Sequence, residues 1–223
     1  MKLSEDTLPA IRQADLKTLV SLDKQGFLIG EKEDGPAYAE RLKTFLDKLN
    51  ELETEAKETG KLEIEGETFD EKERIPVKLY SEARKLNEEL YSFQIDWVPG
   101  YFVTPQFGLL FGGCAYLFEP EFFSLFIIRD SFKTKKKWFL YSRQELMGHE
   151  LCHVARFAMN AHKYEEHFAY QTAPKKFRKT CGSIVRSEWE TYTFLGLCFG
   201  LLIAQLVQLF AFGITVYNTP IFK

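Results

Sequence analysis

The stretch "GHELCH", residues 148–153, decides how the rest of the chain is interpreted. His149 and His153 stand at i and i+4, so on a helix their imidazoles project from one face about one turn apart and can converge on one cation. Glu150 lies about 100° further round such a helix. There its carboxylate cannot easily be a third ligand, but it can hold a metal-bound water and take its proton. The pattern therefore favours a metal site over two histidines held by ordinary hydrogen bonds.

The residues before this stretch mark the start of its helix. Ser142 precedes Glu145 by three positions, just ahead of an apolar-periodic run, which is the capping-box pattern. We therefore expect one helix to run through "RQELMGHELCHVARFAMN", residues 143–160.

A zinc site of the catalytic kind needs a third protein ligand and a fourth position for water. The next acidic or imidazole side chains along the chain are His162, Glu165, Glu166 and His167. A third histidine six positions after the second would indicate the H-E-x-x-H-x-x-G-x-x-H class, but Met159 stands there and Arg156 replaces the glycine. That class is excluded.

Two segments together resemble a known family. "HELCH" followed by "EEHFAY" is similar to the gluzincins, zinc metallopeptidases in which a glutamate on a second helix completes the metal site. The spacing resembles the compact minigluzincins. The resemblance makes Glu166 the third ligand, with Glu165 as the alternative, and Ala169 the small residue where the two helices approach. Tyr170 departs from the family pattern, since it stands where an acidic residue usually orients a ligating histidine.

The resemblance implies hydrolysis of a peptide or protein substrate with zinc as cofactor. In that mechanism His149, His153 and Glu166 bind the metal, and Glu150 is the general base. Spacing does not single out the donor to the oxyanion or the partners of the ligands. The candidates are Tyr164, His167, Tyr170, Arg178 and Arg186.

The first part of the chain, residues 1–96, is predicted to be a charged and mostly helical module. Helical periodicity from Leu42 to Leu52 predicts an amphipathic helix. "KLEIEGETF", residues 61–69, predicts a small hairpin around its glycine, and a second amphipathic helix follows over residues 77–90. The sequence does not distinguish a packing scaffold from a substrate-recognition module here.

A zincin-like catalytic domain is predicted over residues 97–190. From Trp97 the chain becomes aromatic and glycine-rich, with short apolar runs between proline and glycine residues. These runs predict a small, mostly antiparallel sheet, and therefore an α+β fold. The run from Phe122 to Ile128 is the best strand, and we expect it at the sheet edge, where it could bind an extended substrate by strand addition.

The C-terminal segment, residues 191–223, is predicted to be a transmembrane anchor. No charged side chain occurs between Glu190 and Lys223, and the apolar run is long enough to cross a hydrocarbon core of about 30 Å. A buried core helix is the competing interpretation. Basic residues flank the N-terminal side, which places the catalytic domain in the cytoplasm. A small-residue stripe could support a homo-oligomer: Gly196, Gly200 and Ala204.

Composition limits the other function classes. The formal net charge of −3 and sequence pI of about 5.9 give no global attraction to nucleic acid, and two short basic runs, residues 133–137 and 175–179, are interpreted as solvated loops. The four cysteines form no CxxC pair, which favours a reduced compartment. The alternative function is a membrane-anchored interaction protein with a structural or vestigial zinc site. Glu150 argues for the enzyme, because a structural site needs no base.

Overall fold

The computed structural model describes residues 3–104, 111–119, 122–138, 141–160, 164–182 and 188–212. The chain divides into two units, Met1–Thr180 and Cys181–Lys223. In the first unit the helices are α1 (Leu8–Arg12), α2 (Leu16–Asp23), α3 (Gly35–Thr59), α4 (Ser81–Tyr91), α5 (Arg143–Arg156), α6 (Glu165–Ala169) and α7 (Lys176–Cys181). The strands are β1 (Lys61–Ile64), β2 (Glu67–Asp70), β3 (Gly100–Val103), β4 (Gly113–Phe118), β5 (Phe123–Arg129), β6 (Lys137–Trp138) and β7 (Tyr141–Ser142).

The N-terminal elements follow the predicted pattern. Asp34 caps α3, since its carboxylate accepts from the backbone amide of Ala37, and Gly60 ends the helix with a left-handed backbone. The predicted hairpin is the antiparallel pair β1–β2. The second predicted helix begins as a 3-10 turn, Val77–Tyr80, and continues as α4.

The central sheet has three described strands in the order β3–β5–β4. β5 pairs parallel with β3 and antiparallel with β4, so this sheet is mixed, whereas the two-stranded sheets are antiparallel. The prediction that the Phe122 to Ile128 run lies at the sheet edge is wrong. All seven residues of β5 are buried, as expected of a strand with neighbours on both sides and packed layers on both faces.

The faces of β5 enter two different hydrophobic clusters. Phe123 and Leu125 pack with apolar residues of α3, while Phe126 and Ile128 pack with apolar residues of α4 and α5. The alternation follows the two-residue period of a strand. The α+β fold with small sheets is therefore confirmed. Residues before and after position 96 belong to the same two hydrophobic clusters. The domain boundary at residue 96 stays a prediction.

The second unit contains one described helix, α8 (Glu188–Phe212). Its stretch Tyr192–Phe210 has 19 residues, a mean hydropathy of 2.0 and no residue buried. At 1.5 Å per residue this stretch is about 28 Å long. It is long and apolar enough to cross a membrane. Gly196, Gly200 and Ala204 lie on this helix, and their role in an oligomer stays a prediction.

Candidate metal centre

Helix α5 carries both histidines and packs into the hydrophobic core. Ser142 caps it as predicted, because its hydroxyl accepts from the amide of Glu145 at 3.2 Å. Fully buried side chains on the helix, Met147 and Leu151, fix its inner face in the hydrophobic core. Burial of each such side chain stabilises the fold by about 1.5–3 kcal/mol. Residues of the "GHELCH" stretch therefore sit on a rigid, packed element.

Three side chains converge at this helix. The Nε2 atoms of His149 and His153 lie 3.1 Å apart. Oε2 of Glu166 lies 3.6 Å from Nε2 of His149, and Oε1 of Glu166 lies 3.5 Å from Nε2 of His153. Ligands about 2.05 Å from a tetrahedral zinc ion are about 3.3 Å from one another. The group His149, His153 and Glu166 could therefore hold a metal ion with little rearrangement.

Each histidine ring also forms a hydrogen-bonding contact outside the three-residue group. The Nδ1 atom of His153 lies 3.2 Å from Oε1 of Glu165, and the other oxygen of Glu165 accepts from Arg156 at 3.3 Å. The His149 ring forms a hydrogen bond with the backbone carbonyl of Ala169, which is fully buried. Such outer contacts fix the orientation of ligating imidazoles and leave the far nitrogen free for a metal. Glu165 thus contacts Nδ1 of His153, and Glu166 lies on the side of Nε2.

Tyr170 stands where the predicted pattern has an acidic residue, and it contacts His149 through its ring. Its ring packs edge-on against the His149 ring, with 4.8 Å between the centroids. The carboxylate that orients a histidine comes instead from Glu165, the position before Glu166. Sequence reasoning weighed Glu165 as an alternative ligand and missed this orienting role. The adjacent pair "EE" was the available signal, because two neighbouring positions on one turn point to different sides.

The general-base candidate is buried beside the cluster. Glu150 is 4% exposed, and its carboxylate accepts a hydrogen bond from the backbone amide of Ala115 in β4. Burial raises the pKa of Glu150 to about 7, with the charge of Glu166 adding to the rise while His153 and Ala115 oppose it. A carboxylate with such a pKa can both take and return a proton near neutral pH.

The two histidines differ in their electrostatics. Burial, together with the nearby His153, lowers the pKa of His149 to about 3. Burial also acts to lower the pKa of His153, but the hydrogen bond to Glu165 and the charges of Glu150 and Glu166 outweigh it and raise that pKa. His149 is thus neutral at physiological pH, which is the form that binds metal.

The remaining sequence candidates differ in their contacts, and the charge of Arg178 acts to lower the pKa of His149. Tyr164 and His167 are exposed, and the His167 ring contacts Phe168. Arg178 pairs with the buried carboxylate of Glu145 at 2.6 Å. Tyr170 makes a ring contact with a predicted ligand, His149. Arg186 and His162 lie outside the described residues.

The comparisons add no family. No family model, curated protein or solved structure matches this chain. Assignment of the site to the gluzincins therefore stays a prediction from "HELCH" and "EEHFAY".

Proposed function

We propose that the chain is a zinc-dependent metallopeptidase that hydrolyses peptide bonds. The observation that carries the proposal is the arrangement on α5 and α6: three convergent ligand atoms with a buried carboxylate, Glu150, next to them. A purely structural site has no use for that carboxylate, whose burial is costly unless it performs a task.

The donor set suits zinc. Two imidazole nitrogens and one carboxylate oxygen form a known three-ligand catalytic combination for this ion. The alternative ligand, Glu165, is already engaged by His153 and Arg156, so Glu166 supports the proposal better. When bound, zinc supplies the Lewis acidity that polarises a carbonyl and lowers the pKa of a water.

The protein groups then divide the remaining tasks. Glu150 takes the proton of the attacking water and returns it to the leaving amine, because its buried carboxylate lies close to His153 and Glu166. Tyr170 is the preferred donor to the developing oxyanion, because its ring already lies against His149. Extended substrate would pair with β4 rather than β5, since β4 holds Ala115 beside Glu150 and lies at an edge of the described sheet.

The proposal includes a membrane anchor. Helix α8 crosses the bilayer, and the catalytic unit faces the cytoplasm because a group of basic residues precedes the helix within residues 175–186. Retention of the full chain in membranes after alkaline carbonate washing would support the anchor.

Substitution of the general base tests the enzyme directly. Glu150→Gln keeps the shape of the side chain and is expected to lower hydrolysis of a quenched fluorescent peptide library by about 100-fold or more, with metal content unchanged. Glu63→Gln on the exposed face of β1 is the matched control and should change neither.

The outcomes separate the candidate functions. Loss of both metal and hydrolysis in Glu150→Gln, or loss of neither, contradicts the catalytic role. A wild-type chain that binds one metal and hydrolyses no peptide would favour the membrane-anchored interaction protein with a structural site.

A further inference from the structure

The two short basic runs, residues 133–137 and 175–179, both belong to the first unit, and most of the second run lies in α7. The guanidinium of Arg178, within residues 175–179, lies 4.6 Å from the centre of the Tyr141 ring in β7. β7 pairs with β6, which begins at Lys137, the last residue of the run 133–137. The two runs are therefore connected through the β6–β7 pair and Arg178.

The two runs contain four exposed lysines and one exposed aromatic side chain. We define the basic patch as Lys135, Lys137, Lys175, Lys176 and Phe177. All four lysines are exposed, and within the described residues none of them forms an ion pair. Their neighbours Lys133 and Lys136 differ, since they pair with acidic side chains of the N-terminal part. Phe177 is 74% exposed, which is unusual for a phenylalanine on a soluble surface.

Charge is strongly segregated along the chain. Residues 1–96 carry 15 basic and 23 acidic side chains, whereas residues 97–223 carry 14 basic and 9 acidic. No acidic residue occurs in residues 131–144 or 167–187, the two segments that contain the patch. Although the overall charge is −3, these two segments are therefore basic.

The patch is also close in sequence to the candidate membrane helix. The stretch that could span a membrane begins at Tyr192, fifteen positions after Phe177. A segment of that length reaches at most about 50 Å. If α8 crosses a bilayer, this segment keeps the patch within about 50 Å of the membrane surface. Clustered lysines with an aromatic residue beside a membrane helix are typical of contact with anionic lipid headgroups.

We propose that the basic patch binds the anionic headgroups of the leaflet from which α8 enters the membrane. The proposal rests on the membrane anchor of the proposed function and not on the metal site. Arg178 links the patch to α5 through its ion pair with Glu145. Docking would therefore hold α5 near the bilayer surface.

Hydrogen exchange of the full chain in lipid nanodiscs tests the proposal. The discs contain phosphatidylcholine alone or phosphatidylcholine with phosphatidylserine, and the readout is amide exchange in peptides covering residues 131–138 and 171–182. Each lysine near an anionic surface favours docking by about fivefold. We expect several-fold slower exchange with phosphatidylserine, and loss of the difference at high salt because the attraction is screened.

Two charge variants provide the decisive comparison. The combined variant Lys135→Gln, Lys137→Gln, Lys175→Gln and Lys176→Gln should abolish the lipid-dependent protection. Glutamine at four exposed lysines of the N-terminal part, Lys17, Lys43, Lys57 and Lys61, should leave it unchanged. Phe177→Ser should reduce it.

Several results would overturn the proposal. Equal exchange in both kinds of disc, or equal loss in both charge variants, contradicts docking to lipid. Protection by soluble heparin but not by phosphatidylserine would assign the patch to another anionic partner. A chain that fails to enter discs refutes the anchor and the docking together, whereas metal content and peptidase activity are measured separately and report only on the proposed enzyme.

Discussion

The different roles of two adjacent glutamates lead to the sharpest prediction. Glu165→Gln leaves the three predicted ligands in place but removes the negative charge that lies 3.2 Å from Nδ1 of His153. At an effective dielectric constant of 20, two unit charges at that distance interact by about 5 kcal/mol. The effect on metal binding must be smaller, because the metal-bound ring is neutral, Glu165 is 21% exposed, and glutamine can still accept the hydrogen bond.

We therefore expect Glu165→Gln to weaken zinc binding by about 10- to 100-fold, or about 1.4–2.7 kcal/mol. Glu166→Gln removes a charged ligand and should weaken binding further. Competition with a chromophoric chelator, on protein purified in detergent, measures both affinities, with Glu63→Gln as the surface control. A larger loss in Glu165→Gln than in Glu166→Gln would exchange the two assignments and refute the reasoning.

Three further predictions concern stability and anchorage. Gly26→Ala should lower the free energy of unfolding by at least about 2 kcal/mol, because Gly26 has a φ of 81° and an added Cβ would clash with the side chain of Ile95. Denaturant unfolding measures this loss. Gly66→Ala is the control, since Gly66 has a similar φ of 85° but open space around it, so the difference between the two variants reports the clash. Burial opposes ionisation of Glu33, but its hydrogen bonds from Arg41 and Gly30 outweigh burial and lower its pKa. Its stabilising contribution is thus present above its unfolded pKa and lost as pH falls through its folded pKa, and Glu33→Gln should flatten this part of the stability profile measured by thermal unfolding against pH. A chain ending at residue 187 should appear in the soluble fraction of lysed cells, whereas the full chain pellets with membranes; equal partitioning would refute the anchor.

The elements that could be predicted from sequence are the ones set by local chemistry. The capping serine at position 142, the glycine at position 60 and the spacing of apolar residues determine α3 and α5 through contacts within a few positions. The histidine pair follows from the same local geometry, since i and i+4 share a helix face.

Strand order could not be obtained in the same way. The run from Phe122 to Ile128 reads as a strand, but its place between β3 and β4 depends on partners distant in sequence. Its continuous apolar composition was the neglected signal, because an edge strand with one solvated face would alternate. The edge beside Glu150 is β4, whose backbone at Ala115 reaches the carboxylate.

The division of labour between Glu165 and Glu166 also exceeds what sequence can decide. It depends on the rotation of α6 against α5, and the buried Ala169 and the bond from the Tyr91 hydroxyl to the Phe168 carbonyl contribute to that docking. The resemblance predicts only the segment that would supply a third ligand. Packing determines that Glu166 lies near Nε2 of both histidines and Glu165 near Nδ1 of His153.

Metal stoichiometry tests the central claim most directly. Elemental mass spectrometry on detergent-purified protein, prepared without chelators, should find about one zinc per chain in the wild type and in Glu63→Gln, and far less in His149→Ala and His153→Ala. Circular dichroism should show that the two histidine variants remain folded. A wild-type chain without bound metal, or histidine variants that retain it, would contradict the account.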